Sequence, residues 1–524
     1  MIRYPVGIQT FDQVIERGFV YVDKTDMVYS LATEGKVYFL SRPRRFGKSL
    51  LLSTFKAYFE GKKALFAGLK IEALEKDWHP HTVLHFDFNG IDYTLPNALR
   101  AKLEGYLSRW ELEYGIAIGP DFNLASRFEQ IIKAAAQKSG RAVVVLVDEY
   151  DKPLLDALER DAQWLDENRE ILKAFYGVFK EADPYLRFVF MTGVTKYSQA
   201  SVFSGFNQSV DLSVNRKYEA ICGFTDEEFD RQFAPSIHEM AEAHGCCEAE
   251  MRQQIKQYYG GYHFSEGMKD IYNPFSVLNA FYALDIRDYW FTTGTPSYLI
   301  RLMNHFQEGI DQLTGKYYSL DAFVNYKADA EYPLPMMYQS GYLTIKDYDK
   351  RRKTFLLDFP NNEVKNGFLT MVASNYLEIK ENVGNLAKDL VFALEDGELD
   401  VFRSQLTSFL ASIPYSMRRK SHEPERERYF QYTFYLLLRL MSVYAVFVEK
   451  AQSEGRVDCI IETPKNIYIF EFKLDGSAQQ ALQQIKDKGY ARPYEADGRT
   501  VNLVGVNFSS EMGTISDWEH TVFI

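Results

Sequence analysis

Two patterns of hydrophobic and polar positions divide this chain. Up to about residue 215, short apolar runs of strand length alternate with longer stretches whose apolar positions recur every three or four residues. The runs are "KVYFLS" (36–41), "TVLHFDF" (82–88), "RAVVVLVDEY" (141–150) and "RFVFMTGV" (187–194). They are nearly continuous and do not alternate with polar residues, which indicates strands buried on both faces. With helical crossovers between them, they predict a parallel α/β sheet. From 216 to 360 the pattern is mainly helical, rich in aromatics and punctuated by Gly-Tyr turns: "YYGGYHF" (258–264), "YNPFSVLNAFYAL" (272–284) and "QSGYLTI" (339–345). This predicts a helical lid followed by a small winged-helix-like element. The segment "LLDFPNNEV" (356–364) reads as a strand that leaves the element and marks a boundary. Helical periodicity then fills roughly 364 to 416, and a short α/β unit follows from about 420. The expected domains are 1–215, 216–360 and 361–524, in an α/β multidomain chain.

Composition narrows the class. A chain of 524 residues is too long for one core. Its 46% hydrophobic and 25% charged content is that of a globular protein, and 15% aromatics argue against disorder. The four cysteines (Cys222, Cys246, Cys247, Cys459) show no C-x-x-C spacing. That argues against zinc and against a disulfide framework, and fits a reducing compartment. The first residues show no signal-peptide run. The most apolar stretch, 434–448, is shorter than a membrane span and is cut by Arg439, so it reads as a buried helix running toward a strand. A cytoplasmic protein with no membrane contact is expected. The net charge of −12 argues against broad, non-specific coating of DNA but leaves room for a local basic groove. The basic runs at 42–45, 350–353 and 418–420 read as solvated surface before nucleic-acid contacts.

The first candidate chemistry lies at Gly47-Lys48-Ser49. An apolar strand enters this tripeptide and a helical pattern leaves it, an order that aims backbone N–H groups and the positive helix end at a phosphate. Lys48 would bridge the β- and γ-phosphates, and the Ser49 hydroxyl would sit on Mg²⁺. The acidic half of such a site is supplied by "VVVLVDEYD": Asp148 would hold the Mg²⁺ shell and Glu149 would orient and deprotonate a water. In "FVFMTGVTK", Thr192 and Thr195 are both candidates to sense the γ-phosphate. The loop departs from G-x-x-x-x-G-K-[ST] at its first position, where Arg42 stands for glycine. Arginine lacks glycine's freedom at positive φ, and Pro43 has no N–H donor. The cradle Arg42-Pro43-Arg44-Arg45-Phe46 must therefore differ from the standard one, with arginine charge expected to replace some backbone donors.

With "YVDKTDMVYSL", "FLSRPRRFGKSLLLSTFKAYFEG", "VVVLVDEYDKPL" and "YYGGYHF…YNPFSVLNA" in view, the chain resembles the bacterial AAA-ATPase-like proteins, in which R-P-R-R-F-G-K-S is the usual form of the loop. The resemblance covers nearly the whole chain. It implies ATP and Mg²⁺ as cofactors and places Asp23, Lys24 and Thr25 near the nucleotide.

A second constellation lies near the end. "VDCIIE" and "IYIFEFK" flank the turn "TPKN". A hairpin centred on 463–466 sets Asp458 across from Glu471, and alternation puts Lys473 on the face of Glu471. Two opposed carboxylates call for a cation, and oxygen ligands suit Mg²⁺ or Mn²⁺. Lys473 could orient or activate the attacking water. This D…E-x-K layout resembles the PD-(D/E)XK nucleases. By that resemblance Glu427, in a helix that Pro424 can start, is the upstream acid, and Gln484 is the glutamine beside the site. Ala478, Leu482 and Ile485 form one stripe of the following helix. His79, His81 and His263 read as loop or packed-turn histidines. Arg187 and Arg216 stand where an arginine finger might be sought, but no motif selects either. The expected activity is ATP hydrolysis coupled to metal-dependent cleavage of nucleic acid, DNA before RNA. The alternative is an ATP-dependent signalling switch whose nuclease fold is only a binding platform. Oligomerisation is left open.

Overall fold

The computed structural model describes residues 2–117, 119, 121–158, 162–196, 209–293, 313–325, 332–377, 383–412, 437, 441, 446–448, 451–452, 455–456 and 458–523. The chain divides into two compact units, Met1–Val364 and Lys365–Ile524.

In the first unit, β1 (Val37–Ser41), β2 (Val83–Asp87), β3 (Val143–Asp148), β4 (Leu186–Gly193) and β5 (Val210–Asp211) form a sheet of order β2-β3-β4-β1-β5. Every pairing in it is parallel. All residues of β1 and β3 are buried, as continuous apolar runs require. The order places β4 between β1 and β3, so the C-terminal tips of these three strands lie side by side. Leu40 is in register with Thr192 and Ser41 with Gly193. The aromatic content is spent on helix–sheet packing. Phe55 and Phe59 of the helix Lys48–Phe59 meet Phe188 at 5.0 and 4.9 Å. Phe128 and Phe175 stack at 4.6 Å, with Phe86 edge-on to both.

The helical part is clipped by the antiparallel pair β6 (Phe224–Thr225) and β7 (Ile271–Tyr272). Thr225 and Glu228 form a capping box that starts the helix Asp226–His244. Asn273 caps Pro274–Ala283, where Pro274 suits the first helical turn. Phe229, Phe233, Ile237, Met251 and Ile255 fill the core between these helices and Glu248–Tyr259. A small three-stranded antiparallel sheet follows, β8 (Lys316–Ser319), β9 (Thr344–Asp349) and β10 (Thr354–Asp358), in the order β8-β10-β9. The helices Leu320–Val324 and Leu334–Gln339 lie between β8 and β9 in sequence, which is a winged-helix-like order.

The second unit carries the helices Val383–Glu395 and Leu399–Ser412, with Asn362–Leu377 leading into it. Its sheet joins β11 (Val446–Val448), β14 (Cys459–Glu462), β15 (Asn466–Leu474), β16 (Thr500–Ser509) and β17 (Thr514–Val522) in that order. A short pair, β12 (Ala451–Gln452) and β13 (Gly455–Arg456), lies apart. β15 and β16 are parallel and the other pairings antiparallel. The crossover between them is the helix Ala478–Asp487, which buries Ala478, Ala481, Leu482 and Ile485. It packs so closely that a Cβ on Gly505 would fall on the Ala478 carbonyl. Glu427, the basic run 418–420 and most of 434–445 lie outside the described residues. No helix among the described residues is long and apolar enough to cross a membrane.

Candidate functional site

In the first unit, the tip of β1 turns through residues 42–47 into the helix Lys48–Phe59. Gly47 is the N-cap in a left-handed conformation (φ 94°), which glycine alone adopts cheaply. The second positive φ in the loop belongs to Arg45 (66°), so Arg42 is not asked for the freedom it lacks. Lys48 is buried, and its ammonium donates to the carbonyls of Arg42 (3.0 Å) and Pro43 (3.1 Å). Among the described residues it forms no ion pair. A buried cation held only by carbonyl dipoles is suited to an anion, which fits a phosphate group.

The expectation that the loop's arginines supply charge to the cradle is corrected at Arg42. Arg42 is 1% exposed and does not line the cavity that Lys48 lines. It donates to Ser41 O (2.9 Å) and Ser213 O (2.7 Å), reaches the carbonyls of Tyr218 and Glu219 at 3.4 Å, and lies 4.1 Å over the Phe264 ring. Pro43 sits against Gly341, where a Cβ would come within 2.6 Å of its ring. The Arg44 carbonyl accepts from the indole of Trp290 (2.9 Å). Arg45 lies over Phe275 at 5.1 Å, and Phe46 packs edge-on to Tyr262 at 4.8 Å. Thus the five residues that replace the glycine-led half of the loop all dock onto segments between 213 and 341. Of them, Arg44, Arg45 and Phe46 also line the cavity beside Lys48, while Arg42 and Pro43 do not.

Asp148 ends β3 with its carboxylate buried. Its Oδ1 accepts from Thr192 Oγ1 (2.7 Å) and from Glu149 N (3.1 Å). Thr192 is fully buried and is spent on Asp148, and neither of the two lines the cavity. Glu149 lines the cavity in a left-handed conformation (φ 51°), costly for a residue with a Cβ. Burial, with Asp148 and Asp151 nearby, pushes its carboxyl above the ordinary range, while Lys48 opposes the shift. Asp151 was not singled out by sequence. It is buried, lines the cavity, and accepts from Val194 N (3.0 Å), Thr195 N (2.6 Å) and Thr195 Oγ1 (2.7 Å). The signal was present in "DEYD", where a second aspartate follows Asp148 by three residues, just before the helix Lys152–Leu158. It clamps the tip of β4, and Thr195 is held by it.

The cavity measures about 580 Å³. Its lining includes the polar side chains of Lys48, Ser49, Glu149 and Asp151 and the apolar ones of Ile8, Val22, Phe233, Phe275 and Leu278. Such a mixed lining fits a nucleotide, whose phosphates need polar partners and whose flat base needs apolar ones. Lys24 also lines it, paired with Glu228 at 2.6 Å. Asp23 and Thr25 do not. Asp23 accepts from Thr25 N and Oγ1 and from Lys70 N, bracing the start of the helix Thr25–Glu34. Arg187 donates to Ala32 O and Arg216 is exposed in a short 3₁₀ turn. His81 Nδ1 donates to Ala142 O, and His263 joins Ile345 O to Asp270.

In the second unit, Cys459 pairs with Phe470 and Glu462 with Ile467, the register of a hairpin centred on 463–466. Asp458 precedes β14 by one residue, and its Oδ2 accepts from Phe472 N (2.9 Å). Glu471 is 2% exposed, so it does not lie on a solvated strand face. Lys473 Nζ stands 3.7 Å from Glu471 Oε1 and donates to Gln484 Oε1 (2.7 Å). The Gln484 amide donates in turn to Glu471 Oε1. Glu471 Oε2 is buried with no hydrogen-bond partner among the described residues. Burial first, then the nearby Asp458 charge, pushes the Glu471 carboxyl up to about 7. An unpartnered buried carboxylate oxygen beside a second carboxylate fits a divalent cation. No group of three or more His, Cys, Asp or Glu side chains suited to a metal occurs among the described residues. The structure brings Asp458, Glu471, Lys473 and Gln484 together, and Glu427 lies outside the described residues.

Comparison with known proteins agrees with both halves. Residues 5–203 match the family described as predicted AAA-ATPase, and residues 425–518 match the PD-(D/E)XK nuclease superfamily. A protein of Azotobacter chroococcum mcd 1, described as an uncharacterized protein in the vnfD 5′ region, is 36% identical over 522 residues, covering 98% of each chain. The Aeropyrum pernix ORC1 protein, solved in complex with DNA, aligns with 66% of this chain and 90% of its own at 11% identity. Its TM-score of 0.25 carries no argument.

Proposed function

The chain belongs to the predicted AAA-ATPase family, in a form that also carries a PD-(D/E)XK nuclease superfamily domain, and on that premise we propose that it is an ATP-hydrolysing protein whose nucleotide state gates a metal-dependent nuclease acting on DNA. The reading assigns 1–215 to the ATPase, 216–360 to its lid and winged element, and 361–524 to the nuclease.

In the ATPase, Lys48 and the backbone around Gly47 would bind the phosphates, and Ser49 with Asp148 would hold Mg²⁺. Glu149 would take the proton of the attacking water, a task that its raised carboxyl suits. Asp151 and Thr192 act as positioning residues, through the tip of β4 and through Asp148 respectively.

In the nuclease, Asp458 and Glu471 would hold the divalent ion, Mg²⁺ or Mn²⁺. When bound, it would supply charge neutralisation and a water acidic enough to attack phosphorus. Gln484 fixes Glu471 by occupying Oε1, which leaves Oε2 to face the ion. Lys473, held by the same amide, would orient the attacking water or stabilise charge on the phosphate. The single observation that carries the nuclease reading is that buried, unpartnered Oε2. The four cysteines, with no C-x-x-C spacing, support a reducing, cytoplasmic setting.

The test is cleavage of supercoiled, linear and single-stranded DNA with Mg²⁺ or Mn²⁺, with and without ATP, by wild type, Glu471→Ala and Lys48→Ala. The proposal expects cleavage that Glu471→Ala abolishes and an ATP effect that Lys48→Ala abolishes. Cleavage indifferent to Lys48→Ala under all conditions would end the gating idea. ATP binding with no cleavage anywhere would leave the second unit as the platform of a regulatory switch.

A further inference from the structure

The hairpin β9–β10 turns through Lys350, Arg351, Arg352 and Lys353, and all four are exposed. In a chain of net charge −12 this is a concentrated island of positive charge. Some cations of the first unit lie in ion pairs, such as Lys62 with Asp12 and Lys217 with Glu34, and others stand singly, such as Lys63 and Arg100; the tip differs in setting four in consecutive positions. At the tip, Lys350, Arg351 and Lys353 form no ion pair among the described residues. Arg352 is 79% exposed and only 3.9 Å from Asp349, a pair that contributes little in water.

The backbone beneath these side chains is ordered. Asp349 spends its carboxylate on the turn, accepting from Arg351 N (2.9 Å) and Arg352 N (3.0 Å). Lys353 closes the turn in a left-handed conformation (φ 55°). Asp347, the other nearby acid, accepts from Tyr317 OH (2.5 Å) across the sheet. β10 pairs on both sides, so the hairpin stands on a three-stranded base. The arrangement is a fixed support presenting four cations to solvent.

The short helix that precedes the hairpin is unavailable for reading bases. Leu334, Pro335, Met336, Met337 and Gln339 are buried in it. Gln339 accepts from Lys196 N (2.7 Å) and donates to Val324 O (2.5 Å). Contact by this element is therefore through charge at the hairpin tip, which suits the repeating phosphates of a nucleic-acid backbone and carries no sequence information.

We propose that the β9–β10 tip, Lys350 to Lys353, is a sequence-independent clamp on a nucleic-acid phosphate backbone. The proposal rests on the reading that nucleic acid is this protein's polymer.

The test uses the full chain in EDTA, so that no cleavage interferes. Anisotropy of labelled duplex and single-stranded DNA is followed across a salt series. The wing variant carries Lys350→Ser, Arg351→Ser, Arg352→Ser and Lys353→Asn, the last because asparagine tolerates the left-handed conformation. A control variant removes four other exposed cations: Lys63→Ser, Lys76→Ser, Arg100→Ser and Arg141→Ser. Fluorescent ATP binding reports that each variant is folded. The wing variant is expected to bind DNA more weakly. The slope of log K against log salt should be shallower by about 0.9 for each duplex phosphate that the variant no longer neutralises, so up to about 3 to 4 in all. The control should shift far less. Equal binding and equal slope in wild type and wing variant would overturn the clamp and leave the nuclease reading standing. No binding of DNA by the wild type would overturn both. Loss of binding to vesicles of anionic lipid, with DNA binding unchanged, would reassign the tip to a membrane surface.

Discussion

Arg42→Gly restores the residue that a standard phosphate-binding loop carries at this position, and it should damage the protein. The wild-type guanidinium makes two short bonds to carbonyls, at 2.9 and 2.7 Å, and two long ones at 3.4 Å. Hydrogen bonds that involve a charged group contribute about 1.5 to 3 kcal/mol each. The stacking over Phe264 at 4.1 Å adds roughly 1 to 2 kcal/mol in a desolvated setting. Against this stands the cost of burying the cation, which pushes its pKa down. The net loss on substitution is expected at about 3 to 5 kcal/mol, the range for removing one partner of a buried charged contact. For the unit Met1–Val364 that corresponds to a fall of about 4 to 7 °C in its melting temperature. Differential scanning calorimetry of the full chain would measure the shift, with fluorescent ATP binding on the same samples. Arg42→Gly should lower the transition of the first unit and weaken nucleotide binding. A wild-type transition with equal or tighter ATP binding would refute the reasoning, because it would make Arg42 a degenerate loop residue and not a strut.

Three further outcomes follow from particular contacts. Glu363 is fully buried, accepts from Trp290 N (2.5 Å) and Ser276 Oγ (2.8 Å), and is pushed up to about 8 by burial. Since the folded state holds this proton more tightly than the unfolded one, stability should fall as pH rises from about 4.5 to about 8, by at most about 5 kcal/mol. Denaturant titrations across that range would show it, and Glu363→Gln should flatten the profile. Glu471→Gln should abolish metal-dependent cleavage. It should also raise the melting temperature of the second unit at pH 8 without metal, since above about 7 the wild-type carboxylate is ionised and buried; an unchanged transition would argue against that burial cost. Gly505→Ala drives a methyl onto the Ala478 carbonyl and to 2.8 Å from Leu482 N, which should cost about 1 to 3 kcal/mol or more. Calorimetry should show the second unit's transition lowered while ATP binding persists.

Both candidate sites were legible because their signals are local. A strand that ends at a Gly-Lys-Ser turn, an acidic pair at the end of a continuous apolar run, and a Glu-x-Lys on alternate strand positions need only the period of the backbone and one turn. The hairpin register was legible for the same reason, since the turn at 463–466 fixes which residues face each other. Both threonines of "FVFMTGVTK" were legible as candidates, but the choice between Thr192 and Thr195 was not. Both hydroxyls are buried, and only their partners distinguish them: Asp148 for one and Asp151 for the other.

What the sequence by itself determined about this protein is its order of α/β, helical and α/β parts, a strand–turn–helix at Gly47-Lys48-Ser49, an apolar strand ending in Asp148, and the register of the hairpin that follows Asp458 and leads to Glu471. What only the tertiary structure decided is the use of Arg42-Pro43-Arg44-Arg45-Phe46, whose partners come from residues 213 to 341. The burial that turns Glu471 from a strand residue into a candidate ligand is of the same kind, since it needs the helix Ala478–Asp487 folded back over β15. The physical reason is common to both. Periodicity along a chain reports which way a side chain points, but whether that direction leads to water, to a carbonyl or to another charge depends on segments brought together by packing.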